Sequence, residues 1–111
     1  MSEVKLAFLP KWEDAMVEGR KTATTRAHRH ARAGDTFRAF GHRFRVRAVA
    51  PIRLRDVGAY WWREEGLLDP LDFRLVWMKL HPRRGFVGDD RVYLHLFRIA
   101  DPVPLDVRRI A

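Results

Sequence analysis

The residues from Gly19 to Arg26 combine positive charges with hydroxyl groups. Their sequence, Gly-Arg-Lys-Thr-Ala-Thr-Thr-Arg, sets Arg20, Lys21 and Arg26 among three threonines. Lys21 offers a compact ammonium charge, whereas the planar guanidinium of Arg26 can donate two parallel hydrogen bonds to a phosphate or a base edge. We therefore predict that Arg20, Lys21, Thr22 and Arg26 bind RNA or a nucleotide. The alternative, which the pattern leaves open, is a solvated basic loop.

The positive charge continues beyond this segment. Residues 20–34 hold five of the 22 Lys and Arg residues and no Asp or Glu, so they supply more than half of the formal net charge of +8. Polyanions are the natural partners of such a concentrated charge. We therefore add Arg29 and Arg32 to the predicted RNA-binding residues.

Two adjacent carboxylates, Glu64 and Glu65, are predicted at the end of a helix that Gly66 terminates. In that position they face the negative end of the helix dipole, which costs roughly 0.3–1 kcal/mol each. Glu65 also follows Trp61 by four residues and therefore lies near the apolar face. A costly position favours a functional role, such as holding a cation or moving a proton. An ion pair with a nearby arginine is the structural alternative.

Aromatic side chains could stack on bases beside these charges. The spacing of Trp61 and Trp77 favours core positions, whereas Trp62 lies off the main apolar face and is the predicted stacking residue. The chain has no cysteine, and His28 and His30 are two residues apart, which does not suit a shared metal face on a helix. We therefore predict neither a metal site nor a cofactor.

The elements that must position these residues follow from apolar spacing, with Gly and Pro at the boundaries. The predictions are a strand over Val4–Phe8, a helix from Pro10 to Gly19, an extended loop over Arg20–Gly34, strands over Thr36–Phe40 and Phe44–Ala48, helices over Asp56–Glu65 and Pro70–Leu80, and a strand over Val92–Ile99. This order indicates an α+β fold with a small mixed sheet, which could close into a barrel, and about three helices packed outside it.

One of these strands has an unusual composition. Arg43, Arg45 and Arg47 alternate with apolar residues. Because successive side chains of a strand point to opposite faces, we predict one solvated cationic face there. The strand over Val92–Ile99 is apolar on both faces, which favours a position inside the sheet.

The length of 111 residues predicts a single domain over residues 1–111, and a hydrophobic content of 47% predicts a packed core. The N-terminal residues do not resemble a signal peptide, and no stretch approaches the roughly 20 apolar residues of a membrane span. We therefore expect a cytoplasmic monomer without membrane contact. The lack of Asn and Gln, with abundant Arg, fits either a heat-adapted protein or a GC-rich genome.

Taken in order, these pieces resemble the ASCH domain family, which is similar to the PUA domains. Gly19, Lys21 and Arg26 fulfil its Gly-x-Lys-x-x-x-x-Arg pattern, and Gly34-Asp35 and Glu65-Gly66 follow in the same order. The ordered set is more specific than any one of its parts.

The likeness runs from about Leu6 to Arg98. It implies a five- or six-stranded β-barrel with helices around a cleft, in which the loop from Lys21 to Arg26 faces Glu65. It also implies RNA binding, because PUA-like domains often act on RNA. The leading hypothesis is therefore a binding domain for RNA or a cytidine-type nucleoside.

One branch of the family resembles small acetylcytidine amidohydrolases, whose proposed catalytic lysine, threonine and glutamate fall on Lys21, Thr24 and Glu65. A lysine of lowered pKa could take the proton of the threonine hydroxyl, and Glu65 could pass a proton to the leaving amine. Arg26 could hold the base or the developing oxyanion. This metal-independent hydrolase is the alternative function, and a protein-interaction domain with a merely soluble basic loop is a third.

Overall fold

A computed structural model describes residues 2–100. Its elements, in chain order, are β1 (Glu3–Val4), a 3-10 turn (Pro10–Trp12) that continues as α1 (Glu13–Val17), β2 (Ala23–Arg26), β3 (Thr36–Ala39), β4 (His42–Arg53), α2 (Leu54–Tyr60), α3 (Pro70–Leu80) and β5 (Arg91–Ile99). The predicted α+β class and the three helices are confirmed. None of these helices is both long and apolar enough to cross a membrane.

The five strands form one mixed sheet in the order β1-β3-β4-β5-β2. The β1–β3 pair is parallel and the other three pairs are antiparallel. Within residues 2–100 the sheet is open, so the predicted barrel is not confirmed. The edge strands, β1 with two residues and β2 with four, do not pair with each other. As predicted, β5 is an inner strand, paired on both sides.

The loop prediction over Arg20–Gly34 is wrong at Ala23–Arg26, where β2 forms. Ala23 and Thr24 are consecutive and both buried, so this strand lacks the alternation by which strands are recognised in a sequence. Its residues instead pair with β5, where Thr24 lies opposite His95. Sheet pairing therefore decides the conformation of a segment that polar composition alone assigns to a loop.

Several other boundaries differ from prediction, and β4 runs to Arg53, beyond the predicted end at Ala48, because it stays paired with β5 over that length. The first strand is confined to Glu3–Val4, because only these residues pair with β3. The second helix spans Leu54–Tyr60, and the chain then continues in turns as far as Gly66. Glu65 therefore lies in these turns, although its N–H still donates to the carbonyl of Trp61 in a helix-like bond of 3.1 Å.

The core has two apolar clusters, one at each end of the sheet. The first contains Leu6, Met16, Ala31, Phe37, Phe44, Val46 and Phe97, and the second contains Leu54, Val57, Phe73, Trp77 and Val92. Phe37 and Phe44 stack with ring centroids 5.2 Å apart in the first cluster, and Phe97 meets both rings edge-on. The first cluster packs α1 against the sheet, and the second packs α2 and α3.

Gly34-Asp35 has a structural role at the start of β3. Gly34 has a φ of +94°, which glycine adopts without strain. The Asp35 carboxylate accepts the backbone N–H groups of Ser2 and Arg32, both at 2.9 Å. These bonds lower the pKa of Asp35, with the Arg32 N–H as the largest cause. Asp35 thus links the N-terminal segment to the loop between β2 and β3.

Candidate functional site

Backbone hydrogen bonds hold the start of β2 against the turns that follow α2. The N–H groups of Thr22 and Ala23 both donate to the carbonyl of Glu64, at 2.7 and 2.9 Å. The N–H of Lys21 donates to Ala15 in α1. Lys21 and Glu65, which are 44 residues apart in the chain, therefore face each other.

The ammonium group of Lys21 is fully engaged. Its Nζ donates to the carbonyls of Ala23 and Glu65, both at 2.8 Å, and lies 3.5 Å from Glu65 Oε1. The side chains of Lys21 and Glu65 are only 4% and 9% exposed, and Nζ sits 4.6 Å from the centroid of the Trp12 ring. Its three N–H donors have three protein acceptors, so Lys21 links β2 to the turn that contains Glu65, which we call the Glu65 turn.

Burial lowers the pKa of Lys21, and it is the largest influence on that pKa. The charge of Glu65 and its hydrogen bond act in the opposite direction, whereas Arg26 and Lys11 lower the pKa further. The cost of removing an ammonium from water is therefore met by one carboxylate, two carbonyls and an aromatic face.

The hydroxyl that reaches Glu65 belongs to Thr25. Thr25 Oγ1 donates to Glu65 Oε2 at 2.6 Å, whereas Thr24 Oγ1 accepts from Arg26 Nε at 3.1 Å. The resemblance predicts Thr24 as the threonine of the site; Thr24 and Thr25 both line the same space, and Thr25, which the prediction did not include, is the one bonded to Glu65. The signal was present, because strand alternation places Lys21, Ala23 and Thr25 on one side.

Arg26 has donors to spare. Its Nη2 donates to the carbonyl of Ala7 at 2.7 Å and its Nε to Thr24, and its guanidinium lies 5.1 Å from the centroid of the Phe8 ring. Burial lowers the pKa of Arg26 and the charge of Glu65 opposes this. An arginine carries five N–H donors, so a ligand could still receive hydrogen bonds from this side chain.

These groups line one cleft of about 500 Å³. Its walls come from the segment before α1, from β2 and the loop after it, from the Glu65 turn, and from α3. The lining residues are Ala7, Phe8, Leu9, Trp12, Lys21, Thr24, Thr25, Arg26, Ala27, His28, His30, Glu65, Leu67, Phe73, Val76, Trp77, Leu80 and His81. We call this space the cleft.

Aromatic rings dominate the α3 wall of the cleft. The Trp77 ring stacks on His81 with centroids 4.0 Å apart and on Phe73 at 6.2 Å. Trp77 Nε1 is buried and has no hydrogen-bond partner within residues 2–100. Flat apolar surfaces of this kind suit a planar heteroaromatic ligand.

The remaining predicted binding residues lie outside the cleft. Arg20 is exposed and pairs with Glu18 at 3.0 Å, Arg29 and Arg32 are exposed on the loop after β2, and Trp62 is half-buried against the second core cluster. Thr22 lines a different groove. Within residues 2–100, no group of three or more His, Asp or Glu side chains is placed to hold a metal ion.

A scan against protein-family models finds no family that matches this chain. A search of curated proteins also finds no match.

Solved structures do match. An ASCH domain from Lactobacillus crispatus superposes with a TM-score of 0.61 at 14% identity, covering 88% of this chain and 78% of that one. ASCH from Zymomonas mobilis gives a TM-score of 0.57 at 18% identity, with 94% and 74% covered. A protein from Enterococcus faecalis gives 0.58 at 21% identity, with 86% and 74% covered. At such identities the likeness concerns the architecture, and the chain has an ASCH-like α+β fold.

Proposed function

We propose that the chain binds RNA, through an unstacked nucleotide, or a free cytidine-type nucleoside in the cleft. The observation that carries this proposal is the buried meeting of Lys21, Thr25 and Glu65 at the wall of an aromatic-lined space of about 500 Å³. That volume lies within the range of small-ligand pockets.

Glu65 and Arg26 have different roles in this proposal. Because the donors of Lys21 are all engaged, a ligand phosphate gains little there, and the Glu65 carboxylate is the available acceptor. A carboxylate accepts well from the exocyclic amino group of cytosine. Phosphates would instead contact the spare donors of Arg26, and Arg29 and Arg32 beyond it, as the sequence predicts.

Titration calorimetry with cytidine and uridine tests the base-binding role of Glu65. We expect cytidine to bind more tightly than uridine, and Glu65→Gln to weaken cytidine binding about tenfold, because a charge-assisted hydrogen bond is replaced by a neutral one. The exposed Glu13→Gln is the matched control and should change nothing. Equal affinities for both nucleosides, or an unchanged Glu65→Gln variant, would contradict this assignment.

Hydrolysis of acetylcytidine is the second candidate function, and the 2.6 Å bond from Thr25 Oγ1 to Glu65 Oε2 favours it. A carboxylate at this distance can take the hydroxyl proton while the oxygen adds to the acetyl carbonyl, with Arg26 donating to the oxyanion. The C–N bond then breaks, Glu65 returns the proton to the leaving amine, and water hydrolyses the acetyl ester. The resemblance assigns the hydroxyl to Thr24 and the base to Lys21 instead.

Three neighbouring threonines allow a matched test of this chemistry. We expect wild-type protein to release cytidine from acetylcytidine, Thr25→Val to abolish release, and Thr22→Val, outside the cleft, to retain it. Loss of activity in Thr24→Val alone would support the resemblance-based assignment over ours. If acetylcytidine binds and no cytidine is released, the hydrolase proposal fails and the binding proposal stands.

A further inference from the structure

Outside the cleft, arginines face each other across adjacent strands of the sheet. Arg38 on β3 lies opposite Arg43 on β4, and Arg45 on β4 lies opposite Arg98 on β5, all four being exposed. Glu3 pairs with Arg38 at 3.2 Å at the margin of this group. The two opposed pairs therefore concentrate positive charge on one exposed part of the sheet.

A β-bulge adds a fifth arginine. Val46 pairs with Phe97 and Ala48 with Leu96, so Arg47 between them has no residue opposite. Bulges re-aim side chains and often lie next to functional sites. We call Arg38, Arg43, Arg45, Arg47 and Arg98 the arginine face.

A groove of about 410 Å³ opens beside the arginine face. Its lining includes Arg47, Arg98, Trp61, Glu64 and Thr22, the residue just before β2. It shares no described lining residue with the cleft. The join between β2 and the turns after α2 contributes to both spaces, with Thr22 and Glu64 lining the groove and Lys21 and Glu65 lining the cleft.

One residue that lines the groove, Glu64, carries a carboxylate oxygen that the described chain leaves without a partner. Glu64 Oε2 is buried and has no hydrogen-bond partner within residues 2–100. A buried polar atom without a partner costs free energy that a suitable ligand donor would recover. The half-buried ring of Trp61 beside it offers an aromatic surface.

We propose that the groove and the arginine face form a second nucleotide subsite, specific for single-stranded RNA. Phosphates contact Arg47 and Arg98, and an unstacked base lies against Trp61 with its amino group donating to the Glu64 carboxylate. Aromatic rings beside arginines are the combination by which single-stranded nucleic acid is bound.

The Glu64 carboxylate favours RNA over an acidic protein as the ligand of the groove. An acidic peptide would complement the arginines but would bring its own carboxylates toward Glu64. A base brings an N–H donor and a ring face, which match Glu64 and Trp61 together. The proposal shares with the preceding section only the assumption that the ligand is RNA.

Fluorescence anisotropy with a single-stranded RNA oligonucleotide of mixed sequence, over a series of salt concentrations, tests this subsite. We expect the double variant Arg47→Ser with Arg98→Ser to weaken binding about tenfold and to reduce the slope of log K against log salt by about 1.4, because two phosphate contacts are lost. The control is Arg53→Ser with Arg91→Ser. It removes the same charge from a directly opposed pair on the same two strands, away from the groove.

The control should bind RNA within about twofold of wild type. Equal losses in the two double variants would show only an effect of net charge and would overturn the proposal, as would a wild-type protein that binds no RNA at low salt. Circular dichroism establishes that both variants are folded.

A second measurement addresses the base. In a Glu65→Gln background, which weakens the cleft, we expect oligocytidylate to bind more tightly than oligouridylate and Glu64→Gln to narrow this difference. An unaltered preference would overturn the role of Glu64.

The two proposals can fail separately. If cytidine binds in calorimetry but the arginine variants match each other, the groove proposal falls and the cleft stands. If cytidine does not bind but the Arg47/Arg98 variant selectively loses RNA, the cleft proposal falls and the groove stands.

Discussion

At the scale of the residue, Lys21 shows why the type of a side chain does not fix its role. The sequence identifies it as a cation, and the structure brings it to Glu65 as predicted. Every donor of its ammonium is nevertheless used within the protein, which is why we propose that it holds the site together and that phosphate contacts lie elsewhere. Which threonine bonds to Glu65 depends on the direction in which each side chain of β2 points. The sequence identifies the threonine-rich segment but does not single out Thr25.

His95 is the residue for which pH dependence can be predicted. It is fully buried in β5, its Nε2 accepts the N–H of His30 at 3.1 Å, and its Nδ1 donates to the carbonyl of Tyr93 at 3.0 Å, an arrangement that needs a neutral ring. Burial lowers the pKa of His95, and the positive charges of His30 and Arg26 lower it further.

Because the pKa of His95 is lower in the folded state, the unfolded chain takes up the proton first as the pH falls. The contribution of His95 to stability is therefore complete above about pH 6.5 and declines as the pH falls toward the folded-state pKa. We expect the Tm of wild type to fall over that range and His95→Gln to flatten the dependence. His42→Gln is the control, and a slope that His95→Gln leaves unchanged would contradict the prediction.

At the scale of the element, a glycine sets the approach of the Glu65 turn to β2. Gly66 has a φ of +85°, and a Cβ there would lie 3.1 Å from Lys21 Cβ and 3.2 Å from Trp12 Cζ3. Gly85 has a φ of +71° but nothing within 4 Å of such an atom. Substituting Gly85 therefore measures the cost of backbone strain alone, and substituting Gly66 measures that cost together with the cost of close contact.

We expect Gly66→Ala and Gly85→Ala to share a strain cost of about 1–2 kcal/mol, and Gly66→Ala to lose about 1 kcal/mol more through overpacking. Urea unfolding measures both. Gly66→Ala should also weaken cytidine binding, because it displaces Lys21, whereas Gly85→Ala should not. Equal effects of the two substitutions on stability and binding would show that the contact is unimportant.

Element boundaries mark where prediction from sequence ends. Asp69 and Pro70 begin α3 as predicted, with the Asp69 side chain accepting the Asp72 N–H at 2.7 Å, because capping is a local property. Residues of β2 are held by partners about 70 positions away in β5, which no local pattern reveals. The barrel was suggested by the order of the elements and by the resemblance, whereas the described sheet is open because its edge strands, β1 and β2, do not pair with each other.

At the scale of the whole molecule, the net charge of +8 and the nearly neutral, aromatic cleft have different consequences for binding. We expect RNA affinity to fall steeply with salt, by roughly 0.7 in log K per log unit of salt for each phosphate contacted, whereas cytidine, which lacks a phosphate, should bind with little salt dependence. Parallel titrations of both ligands measure this. Identical salt dependence for the two would place cytidine among the surface charges instead of in the cleft.

The join between β2 and the Glu64–Glu65 turn is a single layer of backbone, held by two N–H groups on one carbonyl oxygen of Glu64. Each of the spaces beside it is lined by alternate members of the same neighbouring pairs, Lys21 with Thr22 and Glu64 with Glu65. A displacement of this backbone segment therefore moves the walls of both spaces at once. The effects of substitutions at residues 64 and 65 on ligand binding should be non-additive, and a double-mutant cycle would measure their interaction free energy.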